Sequence, residues 1–80
     1  MKKGGQRVYE KYLKLLNEKG VTTRQVCGAT GIPESTMSMW KARYEAWGGN
    51  AEKKEPVPSI DTVYKLAKYF DVPIEYFIGE

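Results

Sequence analysis

The side chains that could carry out catalysis are few in this sequence, and no motif pairs them. The 80 residues include no histidine and one cysteine, Cys27. Histidine is the commonest general base and metal ligand, and a single thiol forms neither an internal disulfide nor a thiolate cluster. The composition therefore predicts no enzyme and no metal or cofactor. Cys27 has two interpretations, a small buried hydrophobic residue or a redox-sensitive thiol.

The most informative part of the sequence is segment 22–40, TTRQVCGATGIPESTMSMW, whose residues are typical of two short helices joined at Gly31. Thr22 can cap a helix through its hydroxyl, and Gln25 can return a hydrogen bond to the backbone N–H of the cap. Gly31 can take the positive φ that ends this helix sharply. A second helix is predicted to begin at Pro33, since proline is favoured in a first helical turn. The segment predicts a helix-turn-helix.

The helix beginning at Pro33 has an apolar side and a side of mostly small or polar residues. Its inner side is predicted to consist of residues spaced by three, four and three positions, namely Met37, Trp40, Tyr44 and Trp47. The outward residues are Ser35, Ser38, Met39, Ala42 and Ala46. Such small outward side chains let another surface approach closely. Tyr44 and Trp47 either cover the following loop or form a surface for a partner.

Helices and a loop predicted on both sides of this segment can hold it in place. The first helix is predicted from about Gln6 to Lys19, with an inner stripe of Val8, Tyr12, Leu15 and Leu16. Residues 48–58 predict a loop, because glycine, charge and two prolines dominate there, and Lys53 and Lys54 are placed at its tip.

Two further helices are predicted after the loop. Ser59 can cap the fourth helix and Asp71 ends it, with an inner face of Ile60, Val63, Leu66, Ala67 and Phe70. A short fifth helix is predicted to open at Pro73. Its side chains Ile74 and Phe77 are predicted to point inward, which leaves Tyr76 and Ile78 exposed.

Composition and charge are those of one small soluble domain, residues 1–80, with residues 1–5 expected to form a flexible arm. Hydrophobic residues make up 41% and charged residues 29%. No apolar run approaches the roughly 20 residues of a membrane span, and no signal peptide is recognisable, which predicts a cytoplasmic protein. The net charge is +3. Residues 1–24 carry seven Lys/Arg against two Glu, so a polyanion is a plausible partner for that end.

Three segments, EKGVTTRQV, GIPESTMSMW and PSIDTVYKLAKYFDVPIEYFIG, resemble the DNA-binding domain of lambdoid phage repressors and Cro, the XRE family of helix-turn-helix regulators. The resemblance implies an all-α, compact five-helix domain of the lambda-repressor type. It also implies that the third helix enters the major groove of double-stranded DNA and that a homodimer reads two half-sites of a near-palindromic operator. The loop after the third helix departs from the family pattern because it is longer than usual by roughly ten residues. Part of this extra length arises because the apolar stripe of the third helix continues to Trp47.

The resemblance assigns candidate site residues by position. Base reading falls on Thr23, Glu34, Ser35 and Met39, joined by the outward hydroxyl of Ser38. Phosphate contacts are expected from Thr22, Arg24, Lys41, Arg43, Lys53 and Lys54. The dimer interface is expected at Tyr76 and Ile78. A buried Arg–Glu pair of many members is replaced by Leu16 and Lys41, so that link between the first and third helices is predicted to be apolar or absent.

Some of these assignments have a second interpretation. Glu34 either reads a cytosine amino group or only complements the positive end of the helix dipole. Lys53 and Lys54 either bind phosphate or are simply solvated. The sequence predicts a transcriptional regulator, a repressor of bacterial or phage origin. The alternative is a protein-binding helix-turn-helix module, antirepressor or antitoxin-like, with reduced DNA reading and with Tyr44, Trp47 and Tyr76 as contact residues.

Overall fold

Five helices make up the part of the chain that the computed structural model describes, residues 7–78. They are α1 (Val8–Lys19), α2 (Thr23–Thr30), α3 (Glu34–Trp47), α4 (Ile60–Phe70) and α5 (Glu75–Ile78). No strand occurs among these residues, so the predicted all-α, five-helix fold with a long third helix is confirmed. The arm predicted at residues 1–5 lies outside the described residues.

The turn between α2 and α3 forms as its sequence predicts, with one shift. The Thr22 hydroxyl accepts a hydrogen bond from the Gln25 backbone N–H at 3.2 Å, and the Gln25 side chain accepts one from the Thr22 N–H at 2.8 Å. Gly31 ends α2 at φ 82°, where a side chain would be strained. The prediction that the next helix begins at Pro33 is wrong by one residue. Pro33 has extended backbone angles (φ −61°, ψ 140°) and precedes the first helical residue, Glu34.

An aromatic cluster joins α1 to α3. The ring centroid of Trp40 lies 5.0 Å from that of Tyr9 and 5.2 Å from that of Tyr12, and all three side chains are buried. Tyr9 and Trp40 meet edge to face at 79°, an arrangement that contributes about 0.5–1.5 kcal/mol beyond burial of the rings. Because the indole is held against α1, the opposite side of α3 must point outward.

The other helices complete one hydrophobic core. Buried residues from α2, α4 and α5 join the cluster: Val26, Cys27, Val63, Leu66, Ala67 and Phe77. Burial, followed by the charge of Glu34, raises the pKa of the Cys27 thiol, which disfavours the reactive thiolate. Cys27 therefore packs as a small hydrophobic residue.

Some predicted core positions are wrong. Ile60 is 60% exposed and Thr62 is buried instead, because Ile60 is the first residue of α4 and lies roughly 90° from the middle of its buried face. Tyr9 is buried although the stripe proposed for α1 omits it, because its partner Trp40 comes from another helix. Phe70 is only partly buried, with its ring centroid 6.2 Å from that of Tyr12.

The packing contact between α1 and α3 includes one polar interaction that the sequence analysis did not find. Leu16 is partly buried and Lys41 is exposed, which agrees with the absence of a charged pair at those positions. The Tyr44 hydroxyl, however, donates a hydrogen bond to the Glu10 carboxylate at 2.7 Å. This hydrogen bond is the main cause that lowers the pKa of Glu10 and raises the pKa of Tyr44.

A side chain from the connection between α3 and α4 caps the first helix. The Glu55 carboxylate accepts hydrogen bonds from the backbone N–H groups of Val8 and Tyr9, each at 3.1 Å. The N-cap residue of α1, Arg7, makes no side-chain cap bond of its own. A carboxylate at this position satisfies two amides that have no partner within the helix and complements the helix dipole.

The buried hydroxyl of Tyr12 predicts a loss of stability at alkaline pH. Burial raises the pKa of Tyr12 to about 12, from an ordinary value of about 10 in the unfolded chain. Since the folded pKa is the higher one, this contribution is complete below about pH 10 and is lost as the pH rises toward 12. The loss is about 2–3 kcal/mol at most, at roughly 1.4 kcal/mol per pKa unit. Urea unfolding at pH 8 and pH 11.5 measures it.

The variant Tyr12→Phe tests the assignment. Its free energy of unfolding at pH 8 is expected to fall by about 1 kcal/mol, because the Thr23 hydroxyl loses its partner. Between pH 8 and pH 11.5 its stability is expected to decrease less than that of the wild type. Equal decreases in the two proteins would contradict the role given to Tyr12.

Candidate nucleic-acid interface

The side of α3 opposite the aromatic cluster is open to solvent. We define the outer face of α3 as the exposed residues Glu34, Ser35, Ser38, Met39, Ala42 and Ala46. Met39 is 51% exposed, whereas Met37 and Trp40, which point into the core, are each 3% exposed. An α-helix turns by about 100° per residue, so the outer-face residues form a continuous strip along the helix. The predicted base-reading residues of this helix lie on that strip.

Positive side chains border the outer face of α3 on both sides. On one side Lys41 shares a groove with Ser38. On the other side Arg43 shares a groove with Lys53 and Lys54 of the following connection. All four cationic residues are exposed. The structure thus brings four of the predicted phosphate-binding residues to the two flanks of one helix, which suits a helix lying between two sugar-phosphate backbones.

The start of α2 offers less to a ligand than the sequence predicts. The Thr23 hydroxyl lies 2.7 Å from the Tyr12 hydroxyl, and the Thr22 hydroxyl accepts the Gln25 amide of the capping box. Both hydroxyls already have partners within the protein, so contact with a base or phosphate has to share or replace these hydrogen bonds. Arg24 is exposed and remains available at this end of the helix.

Two polar residues that the sequence analysis did not single out line the same surface. Thr36 shares a groove with Met39 and Arg43, and Asn50 lines the groove of Arg43 and the two loop lysines. Thr36, Met39 and Arg43 are three and then four residues apart, so the helical period alone places them on one side. No such signal exists for Asn50, because its position depends on the path of the connection.

The connection between α3 and α4, residues 48–59, lies beside α3 and leaves the outer face exposed. The Trp40 indole N–H donates to the Pro56 carbonyl oxygen at 3.2 Å. The Trp47 indole N–H donates to the Lys53 carbonyl oxygen at 2.9 Å. Of the two interpretations of Trp47, the structure therefore supports a side chain that covers the loop.

The proposed dimer residues differ in exposure. Ile78 is 47% exposed, as predicted. The prediction that Tyr76 is exposed is wrong: Tyr76 is partly buried and packs edge to face on Phe77, with ring centroids 5.5 Å apart. The ammonium group of Lys11 lies 5.9 Å from the centroid of the Tyr76 ring. A dimer interface at this end stays a prediction.

A helix-turn-helix whose second helix presents an open face between cationic flanks defines a DNA-binding domain. The family described as "Transposase" matches residues 7–70. The chain belongs to this transposase helix-turn-helix family. This match supports a helix-turn-helix DNA-binding domain in general and does not single out the XRE family. No curated protein and no solved structure matches the chain.

Among the described helices, none is both long and apolar enough to cross a membrane.

The two cationic flanks of α3 predict a measurable salt dependence. Lys41→Gln and Arg43→Gln are each expected to weaken duplex binding uniformly across sequences and to lower the slope of log K against log salt by about one, because each removes one phosphate contact. Fluorescence anisotropy at several salt concentrations measures both quantities. Lys14→Gln, at an exposed position of α1, is the matched control. A control that lowers the slope as much as the two α3 variants would contradict the assignment.

Proposed function

We propose that this chain is a sequence-specific transcriptional regulator that represses transcription by occupying an operator as a homodimer. The observation that carries the proposal is the exposed outer face of α3 between Lys41 on one side and Arg43 on the other. The major groove of B-DNA, about 12 Å wide, admits one α-helix. Repression by occupancy needs no chemical step, which agrees with the prediction that the chain is not an enzyme.

Base reading in this proposal rests on side chains that lack a forked pair of hydrogen-bonding groups for adenine or guanine. Glu34 accepts a hydrogen bond from a cytosine amino group, Ser35 and Ser38 contact a base or a phosphate, and Met39 contacts a thymine methyl group. No arginine or glutamine lies on the outer face of α3. A bidentate contact from arginine or glutamine discriminates between bases by about 1–3 kcal/mol. We therefore expect the residues present here to discriminate less strongly at each base pair.

The regulator and homodimer parts of the proposal are supported by the resemblance to XRE repressors. In that arrangement a capped α4 and a short α5 follow the helix-turn-helix, and both elements are present here. Ile78 at the end of α5 supplies an exposed apolar side chain for a symmetric contact. Two copies related by a twofold axis would place their α3 helices on half-sites roughly 34 Å apart.

Selection of bound duplexes from a random pool at two ionic strengths tests the proposal. We expect the enriched sequences to share a near-palindrome with half-sites about one helical turn apart, and binding to weaken steeply with salt. Recovery of no common sequence, or binding that does not respond to salt, would overturn it.

The family description favours a second candidate function, which is holding DNA for a transposition reaction. Such a role needs sequence reading by the same outer face of α3, but it requires neither a twofold axis nor repression. The same selection separates the two candidates. A near-palindrome supports the homodimeric regulator, and a single asymmetric site supports the transposition role.

Charge placed on the outer face of α3 separates DNA reading from the alternative of a protein-binding module. The double variant Ser35→Glu/Met39→Glu is expected to lose duplex binding at least tenfold, because two carboxylates would face the polyanion, while its melting temperature stays close to wild type at these exposed sites. Asn17→Glu/Tyr64→Glu adds the same charge at exposed positions of α1 and α4 and is the control. If the regulatory activity of the protein in cells is unchanged in the Ser35→Glu/Met39→Glu variant, the protein-binding module is favoured.

A further inference from the structure

Hydrogen bonds within the connection after α3 and between it and the helices hold it at several successive points. Asn50 accepts the Glu52 backbone N–H through its side-chain oxygen at 2.9 Å. The Lys53 carbonyl accepts from the Trp47 indole N–H at 2.9 Å. Glu55 caps the amides at the start of α1 at 3.1 Å. Lys54 thus lies between two residues that are both held in place, although it is itself exposed.

The ring of Trp47 is also held by a contact with Arg7. The Arg7 guanidinium carbon lies 5.3 Å from the Trp47 ring centroid, within the range of a cation–π contact. Gly49 leaves space beside this contact. Its φ is +82°, and a Cβ at that position would lie 3.1 Å from a guanidinium nitrogen of Arg7. The contact with Arg7 and the hydrogen bond to the Lys53 carbonyl together fix the orientation of the indole.

These attachments bring like charges together. Lys53, Lys54 and Arg43 line one groove. Within residues 7–78 the ion pairs are Arg7–Glu10 and Lys65–Asp61, so none of the three cations is neutralised by an ion pair there. Three neighbouring cations repel one another and do not stabilise a fold. An anion bound from outside offsets this repulsion, and a phosphate backbone beside α3 is such an anion.

We propose that the 48–59 connection is a second DNA-contacting element and that Trp47 is its positioning residue. In this inference, which rests on the proposed DNA-binding function, Lys53 and Lys54 bind phosphates of the strand bordering the groove that α3 enters. The Trp47 indole N–H holds the backbone of Lys53, so that only the two lysine side chains, and not the backbone that carries them, have to be ordered when they reach that strand. In this proposal the extra length of the connection allows its lysines to reach the DNA strand beside α3.

A double-mutant cycle tests this inference. Trp47→Phe keeps an aromatic ring beside Arg7 and removes the N–H donor together with part of the ring area. We expect a three- to tenfold weaker affinity for a selected duplex and a smaller salt slope, with a melting temperature close to wild type. Lys53→Gln/Lys54→Gln is expected to lower the slope by about two. Adding Trp47→Phe to the lysine variant is expected to have no further effect on affinity, because the positioned groups are gone.

Additive effects in the cycle, or a full salt slope in Trp47→Phe, would overturn the inference. Tyr64→Phe removes a polar group from an aromatic ring at an exposed position of α4 and is the control for such a loss away from the connection. If Trp47→Phe lowers the melting temperature, Asn50→Ala loosens the same connection by removing the hydrogen bond to the Glu52 amide, and the same non-additivity is expected of it. Failure of wild-type protein to bind any duplex rejects the proposed function itself, whereas wild-type binding with unaffected loop variants rejects only this inference.

Discussion

The packing of Trp40 against α1 is the interaction on which the rest of the molecule depends. Its ring contacts Tyr9 and Tyr12, and its N–H is bonded to the Pro56 carbonyl at 3.2 Å. One side chain therefore sets the rotation of α3 about its own axis and places the following connection alongside. With the indole buried, Ser35, Ser38 and Met39 must face solvent, and Lys41 and Arg43 must flank them.

Local sequence signals predicted the helix-turn-helix itself. The capping box at Thr22, the glycine at position 31 and the helical period of Met37 and Trp40 all describe interactions within a few residues of one another, and each is present. Signals of this kind do not extend across the chain. The burial of Tyr9 depends on an aromatic partner 31 positions away, so a stripe read along α1 alone could not include it.

In the candidate site, too, local features could be predicted from the sequence and contacts between distant residues could not. The exposure of the outer face of α3 follows from its period, and the structure agrees. The hydroxyl of Thr23 was assigned to base reading, but its hydrogen-bonding partner Tyr12 belongs to another helix. The connection after α3 was predicted as a loop from its composition, yet composition does not reveal that Glu55 caps α1 or that Trp47 holds Lys53. Both contacts depend on the folded path of the chain.

The central claim is that the outer face of α3 lies against DNA bases, and an NMR titration tests it most directly. Backbone amide shifts are recorded as a selected duplex is added to labelled protein. The account predicts that the largest changes occur at Ser35, Ser38, Met39 and Ala42, while the α1 residues that face away from α3 change little. Changes concentrated around Ile78 or on the exposed side of α1, with the outer face of α3 unaffected, would contradict it.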